Sequence, residues 1–123
     1  MRANDGPLRL LVVEDDVLVL CMLIEALEER YELLCARSCV GAHACLLAGA
    51  PDVLLLDYLL PDGPAASVLD AADRLSVPAL VMTGNLAALA ELQGRGRPLL
   101  AKPFGLSALQ RALEQALEAS VLV

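Results

Sequence analysis

The chain has 123 residues, enough for one domain of ordinary size and too few for a comfortable second. A net charge of −7 argues against non-specific nucleic-acid binding and against an anionic membrane surface, and fits a protein that attracts cations or basic partners. Hydrophobic residues make up 58% and aromatics 2%, so the core is large and has to be aliphatic.

The start, Met1 to Pro7, is short and polar and carries no signal-peptide pattern. "LRLLVV" (Leu8 to Val13) is a near-continuous apolar run, as expected of a strand buried on both faces, and it stops at Glu14-Asp15-Asp16. Val17 to Arg30 reads as a helix, with Val17, Leu20, Met22, Leu23 and Leu27 among its apolar positions. "YELLCA" is a second strand, ending at Arg37-Ser38. Val40 to Leu47 is a helix of small residues, closed by Gly49-Ala50-Pro51. "DVLLLD" is the third strand, "PDGP" a loop, and Ala65 to Leu75 the next helix. "PALVM" is the fourth strand, followed by Thr83-Gly84-Asn85, a short helix from Leu86 to Leu92, and a flexible turn, "QGRGRP". "LLA" is the fifth strand, ending at Lys102-Pro103. Leu106 to Ala119 is the last helix, with Leu106, Leu109, Leu113 and Leu117 along one stripe.

Short strands alternating with helices indicate βαβ units and a parallel sheet covered on both faces. No apolar run approaches the roughly 18 uncharged residues of a membrane span. With no export signal, the four cysteines (Cys21, Cys35, Cys39 and Cys45) are expected in a reducing cytosol as free, mostly buried thiols. The stretch "CARSCVGAHAC" offers Cys35, Cys39, His43 and Cys45 to a metal, but its spacing matches no familiar zinc pattern, and buried thiols with a surface His43 are the weightier reading.

The run "LLLDYLL" (Leu54 to Leu60) sets one carboxylate among leucines, and a carboxylate buried alone costs several kcal/mol. The strand pattern resolves this. In an open α/β sheet, ligands bind at the carboxyl ends of the strands. Those ends carry Glu14, Asp15 and Asp16 on the first strand, Asp57 on the third, Thr83 with Gly84 on the fourth, and Lys102 on the fifth. Asp57 then sits at the mouth of a cleft. Converging carboxylates repel and raise one another's pKa values, a cost that a divalent cation removes. A few oxygen ligands suggest Mg²⁺. A carboxylate beside Mg²⁺, a lysine and a hydroxyl has the parts for phosphoryl transfer onto that carboxylate. Gly84 leaves room for an incoming phosphoryl group.

With these motifs in order ("LLVVEDD", "VLLLDYLLPDG", "LVMTG" and "LLAKPF") the sequence resembles the receiver domains of bacterial two-component response regulators over nearly its whole length. The resemblance implies a flavodoxin-like (βα)₅ fold, a doubly wound parallel sheet of five strands in the order 2-1-3-4-5, as a single receiver domain over residues 1–123 with a core of about 8–119. It implies that Asp57 accepts a phosphoryl group from a sensor histidine kinase or a histidine phosphotransfer protein. Asp15 would touch Mg²⁺ directly and Glu14 through water, with Asp57 and the Leu59 carbonyl completing the protein's share. Lys102 would pair with the phosphoryl group, Lys102-Pro103 resembles the family's cis peptide, and Thr83 is the switch hydroxyl.

Three departures stand out. Leu99 replaces the family's switch aromatic three residues before the lysine, so output has to pass through backbone shifts or repacking of Leu99. Ala65 stands where the family usually has glycine eight residues after the acceptor, leaving Gly63 and Pro64 to take the strain of the turn. The helix after Thr83 looks short and its exit mobile.

The resulting expectation is a cytoplasmic signalling switch that acts by protein contact or as a phosphate relay, with no output domain in this chain. It is no enzyme apart from Mg²⁺-dependent self-phosphorylation and self-dephosphorylation. No nucleic acid and no membrane is involved, the output partner is unnamed, and a homodimer stays open. The N-terminal Met and compact ends lean towards a stand-alone protein over a receiver cut from a larger kinase. The main alternative is a degenerate receiver that binds partners without phosphorylation; the intact acidic pair, Asp57, Thr83 and Lys102 weigh against it. An FMN-binding flavodoxin would need a Ser/Thr/Gly-rich phosphate loop where three acidic residues stand, and a haloacid-dehalogenase-like phosphatase would need a second Asp that "DYLLP" lacks.

Overall fold

The structure is a computed structural model that describes residues 6–121. Residues 1–5 of the polar start fall outside the described residues, as do 122–123. In chain order the elements are β1 (Leu8–Val13), α1 (Val17–Leu27), β2 (Tyr31–Ala36), α2 (Cys39–Ala48), β3 (Val53–Asp57), β4 (Leu59–Leu60), β5 (Gly63–Pro64), α3 (Ala66–Arg74), β6 (Ala79–Thr83), α4 (Leu86–Gly94), β7 (Leu99–Ala101) and α5 (Leu106–Val121).

Five strands form one parallel sheet in the order β2-β1-β3-β6-β7, which is the expected 2-1-3-4-5 when the main-sheet strands alone are counted. β1 and β3 lie in the interior of the sheet, which is why both read as unbroken apolar runs. Side chains alternate across β3. Leu54 and Leu56 enter a core shared with α2, α3 and α4, whereas Val53 and Leu55 enter one shared with α1 and α5. β2 is an edge strand and its burial is correspondingly patchy. Among the described residues no helix is long and apolar enough to cross a membrane.

Several element ends differ from the sequence reading, each for a local reason. α1 stops at Leu27 and not Arg30, because the Arg30 N–H bonds the Leu27 carbonyl (3.1 Å) in a turn that brings Tyr31 back beside Leu8. α4 runs on to Gly94 before Gly96, at φ +69°, ends the turn. The "QGRGRP" exit carries two surface ion pairs: Arg95 with Glu91 at 3.0 Å, and both terminal nitrogens of Arg97 with the Asp73 carboxylate.

The apolar stripes needed correction too. Leu109 and Leu113 are buried on α5, but Leu106 is 50% exposed at its first turn; on α1 the buried set is Leu20, Leu23 and Leu27, with Val17 and Met22 outside. The cysteines are less buried than expected. Cys39 is buried and Cys45 partly so, while Cys21 and Cys35 are exposed. No disulfide joins them.

The loop after Asp57 is a small antiparallel hairpin, with Leu59 opposite Pro64 and Leu60 opposite Gly63. Gly63, at φ +120°, takes the conformation that a side chain would disfavour. Ala65 is therefore free to adopt an ordinary negative φ of −84°, fully buried, its N–H donating to the Tyr58 carbonyl at 3.0 Å. The glycine expected at position 65 is dispensable because the hairpin moves the special conformation two residues earlier.

Candidate functional site

Glu14, Asp57 and Thr83 are the buried polar residues of the described chain, and each lies at the carboxyl end of a neighbouring strand or one residue beyond it. β1 supplies Glu14 and Asp15, β3 supplies Asp57, and β6 supplies Thr83. Lys102 follows β7. Parallel pairing brings the ends together, with Val13 opposite Leu56, Asp57 opposite Met82, and Thr83 opposite Ala101.

One carboxylate oxygen each from Glu14, Asp15 and Asp57 lies within 4.8 Å of the others. Glu14 is 1% exposed and Asp57 7%. The Lys102 ammonium spans both, donating to Glu14 Oε1 at 2.8 Å and to Asp57 Oδ2 at 3.3 Å. Burial raises the Glu14 pKa above the usual carboxylate value, and the facing Asp57 raises it further; the bonds from Lys102 and the Asp16 N–H offset only part of this. Burial alone would lower the lysine's pKa, but its bonds to Glu14 and Asp57 outweigh that and raise it.

Asp16 is the N-cap of α1, accepting from the Leu18 and Val19 N–H groups at 2.9 and 3.2 Å, so of the three consecutive acids only two face the site. The Asp57 Oδ1 atom accepts from the Leu59 N–H at 3.2 Å, which ties the hairpin to the carboxylate. Thr83 Oγ1 accepts from the Asn85 N–H at 3.1 Å. The cap of α4 is Asn85, whose side chain accepts from Ala88, so Thr83 serves the turn before the helix and not its first turn. Lys102-Pro103 is cis, as its motif suggested. Leu99 is half-buried and packs against the core that contains Ala88 and Leu92 of α4.

Two contacts were not legible in the sequence. Arg37, at the end of β2, donates from Nη2 to the Asp15 carbonyl at 3.0 Å. Asp62, at the tip of the hairpin, accepts from the Cys39 and Val40 N–H groups at 2.8 and 3.1 Å. The only sequence signal was Pro-Asp-Gly, which reads as a turn and says nothing of a helix more than twenty residues away. The Cys/His stretch does not gather: among the described residues, Glu14, Asp15 and Asp57 are the only group of three or more metal-ligating side chains. His43 Nε2 lies 3.1 Å from Ser67 Oγ on the outer surface.

No family model matches the chain. A Mycobacterium tuberculosis protein described as a transcriptional regulatory protein, TcrX, is 32% identical over 113 residues, covering 86% of this chain. A protein of Chloroflexus aurantiacus described as a response regulator is 29% identical in its crystal structure; it superposes with a TM-score of 0.82 over 92% of this chain and 99% of its own.

The chain has the fold of the response-regulator receiver domains.

The chain is also similar to the signal receiver domain of an HD-domain-containing protein from Pseudomonas fluorescens, 25% identical, with a TM-score of 0.83 over 98% of this chain and 93% of the other. The chain spans 48% of the length of the M. tuberculosis relative. The receiver fold and the acidic group at its strand ends support a phosphoacceptor signalling role.

Proposed function

We propose that this receiver is the phosphoacceptor switch of a two-component phosphorelay. It would take a phosphoryl group onto Asp57 from the phosphohistidine of a sensor kinase or phosphotransfer protein. The observation that carries the reading is the buried cluster at the strand ends, in which one ammonium spans Glu14 and Asp57.

In this reading an Asp57 oxygen attacks phosphorus in line with the donor's P–N bond, the new acyl-phosphate bond forms as that bond breaks, and the imidazole leaves with the electron pair. Lys102 moves from neutralising the carboxylate to neutralising the transferred oxygens. The Thr83 hydroxyl, which accepts from Asn85 in this state, turns its proton to a phosphoryl oxygen. Leu99, packed on the α4 side, repacks with the loop and reports the change to partners through shifted populations.

Hard oxygen donors on three carboxylates suit a hard divalent cation, and the pairing of Lys102 with two of them supports a site that favours positive charge. Asp15 and Asp57, the Leu59 carbonyl, and Glu14 through water would hold Mg²⁺. Bound there, Mg²⁺ would neutralise the carboxylates and the incoming phosphoryl oxygens.

Intact mass after incubation with acetyl phosphate tests this reading. One phosphoryl adduct is expected with Mg²⁺, none in EDTA and none in Asp57→Asn. A folded, Mg²⁺-binding protein that takes no adduct would instead favour a module that binds partners without phosphorylation. A second prediction concerns lifetime. Leu59 is half-exposed beside the acceptor and should obstruct attacking water. Leu59→Asn is expected to shorten the half-life of the adduct severalfold, followed by mass after removal of donor; an unchanged half-life would remove Leu59 from the account.

A further inference from the structure

We propose that Asp62 is a positioning residue for the phosphorylation site, latching the acceptor loop to the N-terminus of α2 so that the Leu59 carbonyl is held where a cation would use it. The inference rests on the phosphoacceptor reading above and extends it to a residue outside the strand-end cluster.

The loop's two ends are held by the sheet and by α3: the Tyr58 N–H donates to the Met82 carbonyl at 3.1 Å, and the Tyr58 carbonyl accepts from Ala65 at 3.0 Å. Between them, Leu59 to Pro64 is a two-rung hairpin, a unit too short to be stable by itself. Its tip is tethered to α2 chiefly through Asp62, with a weaker contact from the Cys39 thiol to the Gly63 carbonyl at 3.8 Å. Both oxygens of Asp62 are engaged, Oδ1 with the Cys39 N–H at 2.8 Å and Oδ2 with the Val40 N–H at 3.1 Å. A carboxylate accepting from two amides at a helix start is favoured by charge and dipole together, and those bonds hold its pKa below the ordinary value.

The helix does not require Asp62 for its cap. Ser38 already fills that place, its hydroxyl accepting from the Gly41 N–H at 3.0 Å. Helix α2 therefore carries two caps, one local and one arriving from the acceptor loop 23 residues later. This redundancy makes sense if the second bond serves the loop. The same hairpin carries the Leu59 N–H that bonds Asp57 Oδ1 at 3.2 Å, so freeing the tip loosens both the candidate carbonyl ligand and the acceptor's own partner. Backbone ligands have no side chain to fix them and depend on such outer bonds.

Ser38→Ala and Asp62→Ala separate the two roles, because each removes a cap from the same helix but only the second releases the hairpin. Mg²⁺ affinity is measured by calorimetry on the full chain, with melting temperature and the rate of adduct formation beside it. Asp62→Ala is expected to weaken Mg²⁺ binding roughly tenfold, as outer-shell losses at metal sites do, and to slow adduct formation. Ser38→Ala is expected to lower the melting temperature by a similar amount and leave the Mg²⁺ affinity unchanged. Asp62→Asn, which keeps one acceptor oxygen, should fall between and guards against misfolding of the alanine variant. Wild type that binds Mg²⁺, with Asp62→Ala and Asp62→Asn no weaker than Ser38→Ala, would overturn the latch alone. Wild type that binds no Mg²⁺ and takes no phosphoryl group would overturn the latch and the phosphoacceptor reading together.

Discussion

Lys102→Ala is expected to destabilise the metal-free protein by about 3 kcal/mol at neutral pH, the scale seen when one partner of a buried ion pair is removed. The lysine side chain is 28% exposed and bonds a Glu14 side chain that is 1% exposed and an Asp57 side chain that is 10% exposed. Without it, two facing carboxylates in the same cleft lose the cation that compensates them. Glu14, whose pKa burial and Asp57 already raise, would relieve part of the strain by taking up a proton, which sets an upper limit to the cost. Urea denaturation in EDTA measures the loss, and Lys102→Met, which keeps most of the aliphatic stem, separates charge from packing. Added Mg²⁺ should restore more stability to the variant than it adds to the wild type, because it substitutes for the missing charge. A loss below about 0.5 kcal/mol, the scale of an exposed pair, would mean that solvent already screens the cluster.

Glu14→Gln is expected to act in the opposite direction, raising the stability and the melting temperature of the metal-free protein. The sign follows from linkage. The folded pKa of Glu14 lies above the unfolded one, so the folded protein binds more protons in that window. Wild-type stability should therefore fall as pH rises from the ordinary carboxylate range through the raised folded pKa, and level off above it. The neutral glutamine carries no such penalty, so the advantage of the variant should be full above the raised pKa and vanish on acidification. Melting curves in EDTA across that range would show it. Mg²⁺ should reverse the order. A ligand present at about 100 times its Kd adds about 2.7 kcal/mol to whichever protein binds it, and the variant has one fewer carboxylate to offer. A variant that is less stable than wild type in EDTA at neutral pH would show that the Lys102 bond outweighs the burial of Glu14.

The two predictions describe one arrangement. Burial and the facing of Glu14 and Asp57 cost stability, and Lys102 offsets part of that cost. In the phosphoacceptor reading proposed above, a site built this way would trade stability of the resting protein for affinity towards a cation and the group the cation would help to hold.

Much of this was legible in local pattern. A strand buried on both faces has to be apolar throughout, so the end of each apolar run marks the end of a strand. The first polar residue there stands at the rim of the sheet. Glu14, Asp57, Thr83 and Lys102 were found by that rule alone, although they are spread over 88 residues of separation. The Asp16 cap was within reach for the same reason, since a cap acts on amides two or three positions ahead, whereas Thr83, which could have capped the following helix, leaves that place to Asn85. Which apolar residues stay outside was not decided locally. Leu106 and Met22 belong to the apolar sets read along these helices, but the faces of α1 and α5 that pack into the core are those of Leu20, Leu23 and Leu27 and of Leu109 and Leu113.

The sequence by itself determined the alternation of elements, the parallel sheet and the set of polar strand ends, because each follows from burial acting on residues close together in the chain. Only the tertiary structure decided that Lys102 spans Glu14 and Asp57, that Arg37 holds the Asp15 carbonyl, and that the Asp62 carboxylate reaches the start of α2. Those are hydrogen bonds between residues more than twenty positions apart. Their partners are chosen by the packing of helices on the sheet, which no spacing in the sequence records.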